Sequence, residues 1–403
     1  MSAAAEIRPV FPEAANPRTA PAFSSPEFDL LVACCTDSSP RLADRIRAIL
    51  SRPLDWERLL ALVDHHRVVP QVYGELSRFS PPVPAEPLDV LRSRYQDNAR
   101  KALWFTGELA RVLDHLDSAG IKALPFKGPV LAETLYGEVT QRQFGDLDVL
   151  ILPADVLKAK ATLEGLGYPC EPELRHQDEP AYVATGCGYV FHSPAGRNLL
   201  DLQWRIAPRF YSIDFDVAGF LERADEIIVG GRPMRTLCAE DLLLVLCVHA
   251  AKHVWVQLSW LFDIAQLTKS RQLDWNAIQD DARRLGIERI VSLNFLLARK
   301  LLGSALPSAM QKRLPEDPST TVLADEIMRI IEPSVYYDTE SIPYFGLMMR
   351  LRERWQDRAR FLWRLASTPS VSEWSAVRLP GALQPLYRLV RLWRLARRLA
   401  SAG

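Results

Sequence analysis

Gly145-Asp146-Leu147-Asp148-Val149-Leu150-Ile151-Leu152 alternates acidic and apolar side chains over its first half and is wholly apolar over its second. Side chains two apart share a face of an extended chain. The stretch therefore reads as a strand, with Asp146 and Asp148 together on one face and Leu147 and Val149 toward the core. Upstream, Ile121-Lys122-Ala123-Leu124-Pro125-Phe126 follows Gly120 and reads as a second short strand. It runs into Lys127-Gly128-Pro129, where Pro129 suits the first turn of a helix reaching Tyr136. Downstream, Asp155 caps a predicted helix to Leu166 that Gly167 ends, and strands are predicted over 188–192, 198–204 and 226–229. Helical periodicity fills 28–110 and returns at Ala239. The fold class is α+β: a small mixed β-sheet flanked by N-terminal and C-terminal helical regions.

The 403 residues carry 49 Lys+Arg against 49 Asp+Glu, so the net charge is zero, which argues against a protein whose whole surface clamps nucleic acid. With 48% apolar and 24% charged residues the chain can bury a sizeable core. Residues 1–26, rich in Ala, Pro and Ser, read as a disordered leader with no secretory signal. The expected division is then a helical region over 27–110, a mixed core over 111–235, a helical domain over 236–335 and a basic helical segment over 336–403. Six cysteines without a C-x-x-C spacing suit a reducing, cytoplasmic compartment. The longest apolar run, 242–251, is half a membrane span and reads as a buried helix.

The paired acids carry the chemistry. Two carboxylates side by side repel, and a divalent cation relieves them. Hard oxygen ligands at this spacing suit Mg²⁺, which keeps waters and takes its remaining ligands from substrate phosphates. Lys127-Gly128, leading into a helix, offers backbone N–H groups and a point charge to an anion. Asp201, alone in Leu199-Leu200-Asp201-Leu202-Gln203-Trp204, needs a partner or a metal. The plainer alternative is that Asp-x-Asp on a strand edge is a solvated turn. His65-His66-Arg67, between two helical stretches, reads as a polar helix end with solvated or capping histidines.

Phe126-Lys127-Gly128, Leu135-Tyr136, Arg142 and Gly145-Asp146-Leu147-Asp148-Val149-Leu150 resemble the signature of a bacterial, uncharacterised nucleotidyltransferase family in the DNA polymerase β-like superfamily. The resemblance spans roughly 45–270 and takes in His65-His66-Arg67-Val68-Val69-Pro70, Leu200-Asp201-Leu202-Gln203-Trp204, His249-Ala250-Ala251-Lys252-His253 and Trp260-Leu261-Phe262-Asp263. It implies a nucleotidyltransferase core in which Asp146 and Asp148 bind two metal ions, while Asp201 binds one of them and helps activate the attacking hydroxyl. The superfamily commonly has Gly-Ser where this chain has Lys127-Gly128, the Gly128-to-Asp146 spacing is long, and Gln203 stands where relatives often show His.

The implied activity is metal-dependent transfer of an NMP from an NTP to an acceptor hydroxyl, releasing pyrophosphate. Asp146, Asp148 and Asp201 are the expected catalytic and metal residues, with two Mg²⁺ ions, or Mn²⁺, as cofactors. Lys127, Gly128, Arg142, Lys252 and Asp263 are the expected nucleotide-binding residues. A neutral chain suits a small-molecule, peptide or glycan acceptor better than DNA, and tRNA stays open. The alternative is a non-catalytic metal-nucleotide-binding or adaptor protein of the same fold. At the C-terminus, twelve arginines between 350 and 398 face only Glu353, Asp357 and Glu373. Leu386, Leu389, Leu392, Trp393, Ala396 and Leu399 share one helical face, with Arg388, Arg391, Arg394 and Arg398 off it. That pattern suits peripheral attachment to the inner membrane surface or an acidic partner. It equally suits a helix that docks its apolar stripe on the body and leaves its arginines in water.

Overall fold

The computed structural model describes residues 25–36, 40–79, 83–193, 198–304, 318–332, 338, 341–369, 373, 377, 379, 383 and 386–402. The leader thus lies outside the described residues except at its end, where Ser25 caps α1 (Pro26–Cys34) by accepting from the Phe28 amide. Helices α2 (Pro40–Leu50), α3 (Trp56–His66), α4 (Val69–Ser77) and α5 (Ala85–Ser118) follow. Asp55 caps α3 through the Arg58 amide, as its residue type predicts. The boundary expected at 110 falls inside α5, because that helix buries Leu91 in one core and Phe105, Leu109 and Leu116 in another.

The five-stranded sheet is built from β1 (Ala123–Pro125), β2 (Leu147–Ile151), β3 (Cys170–Glu171), β4 (Gly188–His192) and β5 (Asn198–Gln203), in spatial order β1-β2-β5-β4-β3. Only the β2–β5 pair is parallel; the other neighbours are antiparallel. Between strands lie α6 (Gly128–Tyr136), α7 (Val156–Gly165) and α8 (Glu179–Thr185). One sheet face, with Leu147, Val149, Ile151, Leu200 and Leu202, packs with the second half of α5 and with α7. The other bears the acids and Leu150, which joins the larger core. This is the α+β arrangement with a small mixed sheet that the sequence predicts.

After α9 (Val217–Glu222) the expected strand at 226–229 is β6 (Asp225–Val229), paired with a strand the sequence reading lacks, β7 (Arg232–Thr236). Helices α10 (Ala239–Lys252), α11 (Leu258–Ser270), α12 (Trp275–Leu285) and α13 (Glu288–Leu302) complete the body. The run 242–251 lies within α10 and is buried apart from half-buried His249, as its all-round apolarity requires. The two helical regions are not independent flanks. Leu30, Leu31 and Val32 of α1 share one continuous core with Leu297 and Leu301 of α13 and with Ile327 from the helix Pro318–Ile331.

The turn that carries Lys127 depends on Gly128. Its φ is +58°, and a Cβ there would stand 3.2 Å from the Asp146 carbonyl oxygen. Gly128→Ala is expected to lower unfolding free energy by about 1–2 kcal/mol from the left-handed backbone alone. Urea denaturation checks this, and Gly128→Val should cost more.

Candidate active site

Three strand positions set the acids. β2 and β5 run in register with Asp148 beside Asp201, and Leu147 beside Leu200. Neighbouring strands lie about 4.8 Å apart, so the two carboxylates leave the same face as close neighbours. Asp146, two residues before Asp148, joins them from the residue preceding β2. Asp148 is buried, which removes the solvated-turn reading.

The cluster's charge is answered from the turn before α6. Lys127 Nζ donates to Asp148 Oδ1 at 2.9 Å, and both side chains are largely buried. Gln203 Nε2 donates to the same oxygen at 2.9 Å. Gln203 lies two residues beyond Asp201 on β5, so the periodicity that places Asp201 also places it. Asp201 Oδ1, by contrast, is buried with no hydrogen-bond partner. Burial, then the negative charges of Asp148 and Asp146, push Asp201 up to about 7. Burial and Asp148 likewise raise Asp146, against Lys127, Arg67 and Arg142. A hard, multivalent cation fits this donor set: three oxygen acids on one face, two held above their usual range, one with an orphaned oxygen. Among the described residues, no group of three or more His, Cys, Asp and Glu side chains stands poised to hold a metal ion as it is. The Lys127 ammonium answers Asp148.

The helical block closes the site. Lys252, at the end of α10, is held below its usual range by burial and by Lys127. Its carbonyl accepts from Tyr344 Oη at 2.8 Å, which fixes that helix end. The rings of His249 and His253 meet Trp260 at 5.1 and 5.4 Å. Burial and the neighbouring cations keep both imidazoles neutral, His253 down at about 3.

Arg142 and Asp263, both expected at the nucleotide, bond to each other. Arg142 Nε donates to Asp263 Oδ2 at 3.0 Å and Tyr136 Oη to Oδ1 at 2.9 Å. Each oxygen of the buried carboxylate thus accepts one hydrogen bond, and Asp263 ties α11 to α6 and to the Arg142 loop. The loop carrying Arg142 is held from α5, where Asn98 Nδ2 donates to the Thr140 and Arg142 carbonyls at 2.9 and 3.3 Å.

His65 and His66 bond to the start of α11, and His66 is buried rather than solvated. His65 Nε2 bonds the Val256 carbonyl at 3.1 Å, and His66 Nδ1 accepts from the Leu258 amide at 3.2 Å. Arg67 is different. It ends α3 in the left-handed conformation, φ 53°, and its exposed guanidinium acts on both Asp146 and His253. The sequence shows only the cation after two histidines; the backbone that turns it toward the acids is tertiary.

The profile of a family described as uncharacterised nucleotidyltransferase matches residues 52–303. No curated protein matches the chain. Among solved structures, the antibiotic-resistance factor ANT(2'')-Ia is 16% identical, with 44% of this chain and 89% of that chain covered and a TM-score of 0.32. An antigenic nucleotidyltransferase-like protein from Paracoccidioides brasiliensis is 14% identical, with 55% and 92% covered and a TM-score of 0.29. At these values neither likeness carries weight of its own.

Asp201 makes the stability of the metal-free protein fall with pH. Between the ordinary value of 3.8 and about 7 the folded protein keeps a proton the unfolded chain has lost, so folding weakens as pH rises through that window. Asp201→Asn, which mimics the protonated acid, should be more stable than wild type above the window by roughly 2–4 kcal/mol. The gain should shrink toward the acid end. Urea melts at both ends of the window measure it, and a pH-independent difference would contradict it.

Proposed function

The chain belongs to the uncharacterised nucleotidyltransferase family, and from that premise we propose that it transfers a nucleoside monophosphate from an NTP to an acceptor hydroxyl. The acceptor oxygen bonds to the α-phosphorus, the bond from that phosphorus to the β-phosphate bridge breaks, and pyrophosphate leaves. The register that sets Asp148 beside Asp201, next to the Lys127-Gly128 turn, is the observation that carries this reading. Asp146, Asp148 and Asp201 would hold two Mg²⁺ ions, with Mn²⁺ as substitute, and such ions supply charge that activates the hydroxyl and neutralises the departing pyrophosphate.

The chain's own groups do the positioning. Lys127, the Gly128 amide at the start of α6 and Lys252 steady the triphosphate, and Arg67 extends that cationic wall from α3. Asp201, with its free buried oxygen, takes the hydroxyl proton. Arg142 and Asp263 serve the nucleotide indirectly, since Asp263 fixes both the Arg142 loop and, through Tyr136, α6 against α11. A chain of zero net charge fits a small-molecule, peptide or glycan acceptor better than DNA, with tRNA the remaining candidate. All six cysteines are free thiols, which supports a cytoplasmic setting.

Incubation with each NTP, Mg²⁺ and cell extract, followed by mass spectrometry, should show pyrophosphate release and an NMP-modified product. Mg-NTP binding without release would make the protein a non-catalytic binder; no Mg-NTP binding would make it an adaptor. Asp146→Asn should cut turnover at least about 100-fold with the fold retained. Asp148→Asn should do the same but also destabilise, because it strands the buried Lys127 ammonium. Turnover within tenfold of wild type in both would sink the reading. Lys127→Ala should raise KM for NTP by about ten- to a hundredfold. Unchanged KM and kcat would remove Lys127 from the site.

A further inference from the structure

Most of the large apolar side chains exposed among the described residues fall between 342 and 393. Six of them, Trp355, Leu362, Trp363, Leu389, Leu392 and Trp393, lie on two adjoining helices, Trp355–Ser367 and Tyr387–Ala402. On the first, Leu362 and Trp363 are exposed, Trp363 to 73%. On the second, Leu389, Leu392 and Trp393 are exposed, Leu389 to 60% and Trp393 to 61%.

The last helix docks by the edge that the apolar-stripe reading would leave in water. Tyr387 is buried, and its hydroxyl donates to the Val377 carbonyl at 2.9 Å. Arg391 is 6% exposed; its Nε donates to the Leu365 carbonyl at 3.2 Å and its Nη1 lies 3.4 Å from Glu373. Arg394 reaches the same carboxylate at 3.2 Å. With that edge bound to Trp355–Ser367, the leucine and tryptophan side is turned to solvent. At about 100° per residue, Leu392, Leu389 and Trp393 form one arc, with exposed Arg388 at one border and Arg397 at the other. The Arg397 guanidinium lies 5.6 Å from the centroid of the Trp393 ring.

We propose that this face is a docking surface for an anionic lipid bilayer. An apolar arc bordered by arginines, with tryptophans at its level, matches the headgroup boundary of a membrane, where rings and aliphatic side chains enter and guanidinium groups meet phosphates. The charge argues for anionic lipid: exposed Arg388 and Arg397 border the arc, and the one acid in the sequence from 358 to 398, Glu373, is buried against Arg391 and Arg394. Among the described residues no helix is long and apolar enough to cross a membrane, so the contact is peripheral. This surface would bring the acceptor reaction to the membrane plane.

The test is cosedimentation of the full chain with vesicles of phosphatidylcholine alone and of phosphatidylcholine mixed with phosphatidylglycerol. The protein should bind the mixed vesicles at low salt, ignore the neutral ones, and come off as salt rises. The double variant Leu389→Gln/Trp393→Gln should bind about tenfold less or worse, with unchanged thermal unfolding, since both side chains already face water. Trp363→Gln, on the neighbouring helix, should weaken binding and stands in if the double variant unfolds. Arg388→Gln/Arg397→Gln should flatten the salt dependence. Wild-type protein that ignores anionic vesicles at low salt, or Gln variants that bind like wild type, would overturn the proposal. So would a wild-type dimer that Leu392→Gln converts to monomer, because the face would then belong to a second copy.

Discussion

Three carboxylates on one sheet face are a charge problem that the fold must solve before it can do anything else, and the Lys127–Asp148 pair is its solution. Both partners are largely withdrawn from water, so their attraction mostly offsets desolvation rather than adding stability. What the pair fixes is position. It demands that the chain leave β1 and turn sharply at Gly128, where a side chain would press on the Asp146 carbonyl. The parallel register of β2 and β5 brings Asp201 and Gln203 to the same patch. The pair leaves Asp201 Oδ1 without a hydrogen bond and Asp201 pushed up by its acidic neighbours, so the site keeps a deficit of positive charge.

Everything around the sheet holds that arrangement still. The core shared by α1, α13 and the helix Pro318–Ile331 makes the two helical regions one body, and this body grips the site at separate points. Asn98 holds the loop of Arg142, Asp263 holds Arg142 and Tyr136, and Tyr344 holds the end of α10 beside Lys252. Arg67, Lys127 and Lys252, the cations that act on the acids, are thereby carried on elements that the rest of the fold holds. Positioning of this kind is what phosphoryl transfer chiefly asks of a protein.

The elements with local signals were legible. β4 lies where glycine and β-branched or aromatic alternation put it, and Asp146-Leu147-Asp148-Val149 reads correctly because period two is a property of the strand itself. β7 has no strand signal in the sequence because Arg232, Pro233 and Arg235 are exposed and only Met234 and Thr236 turn inward. Its hairpin turn, Gly230-Gly231 with both φ positive, was nonetheless present in the sequence. The Arg142–Asp263 pair joins positions 121 apart, and no spacing rule links them. The last helix reads correctly as amphipathic, but which side docks depended on Glu373 and the Leu365 carbonyl, acceptors that periodicity does not contain.

The central claim is that Asp146, Asp148 and Asp201 form one divalent-cation site that works with a nucleoside triphosphate. Titration of Mn²⁺ followed by electron paramagnetic resonance, with and without NTP, tests it most directly. Wild-type protein should bind Mn²⁺ more tightly when NTP is present, and the folded Asp146→Asn variant should lose that binding. Equal Mn²⁺ binding by the two proteins, or none by wild type with NTP present, would contradict the account.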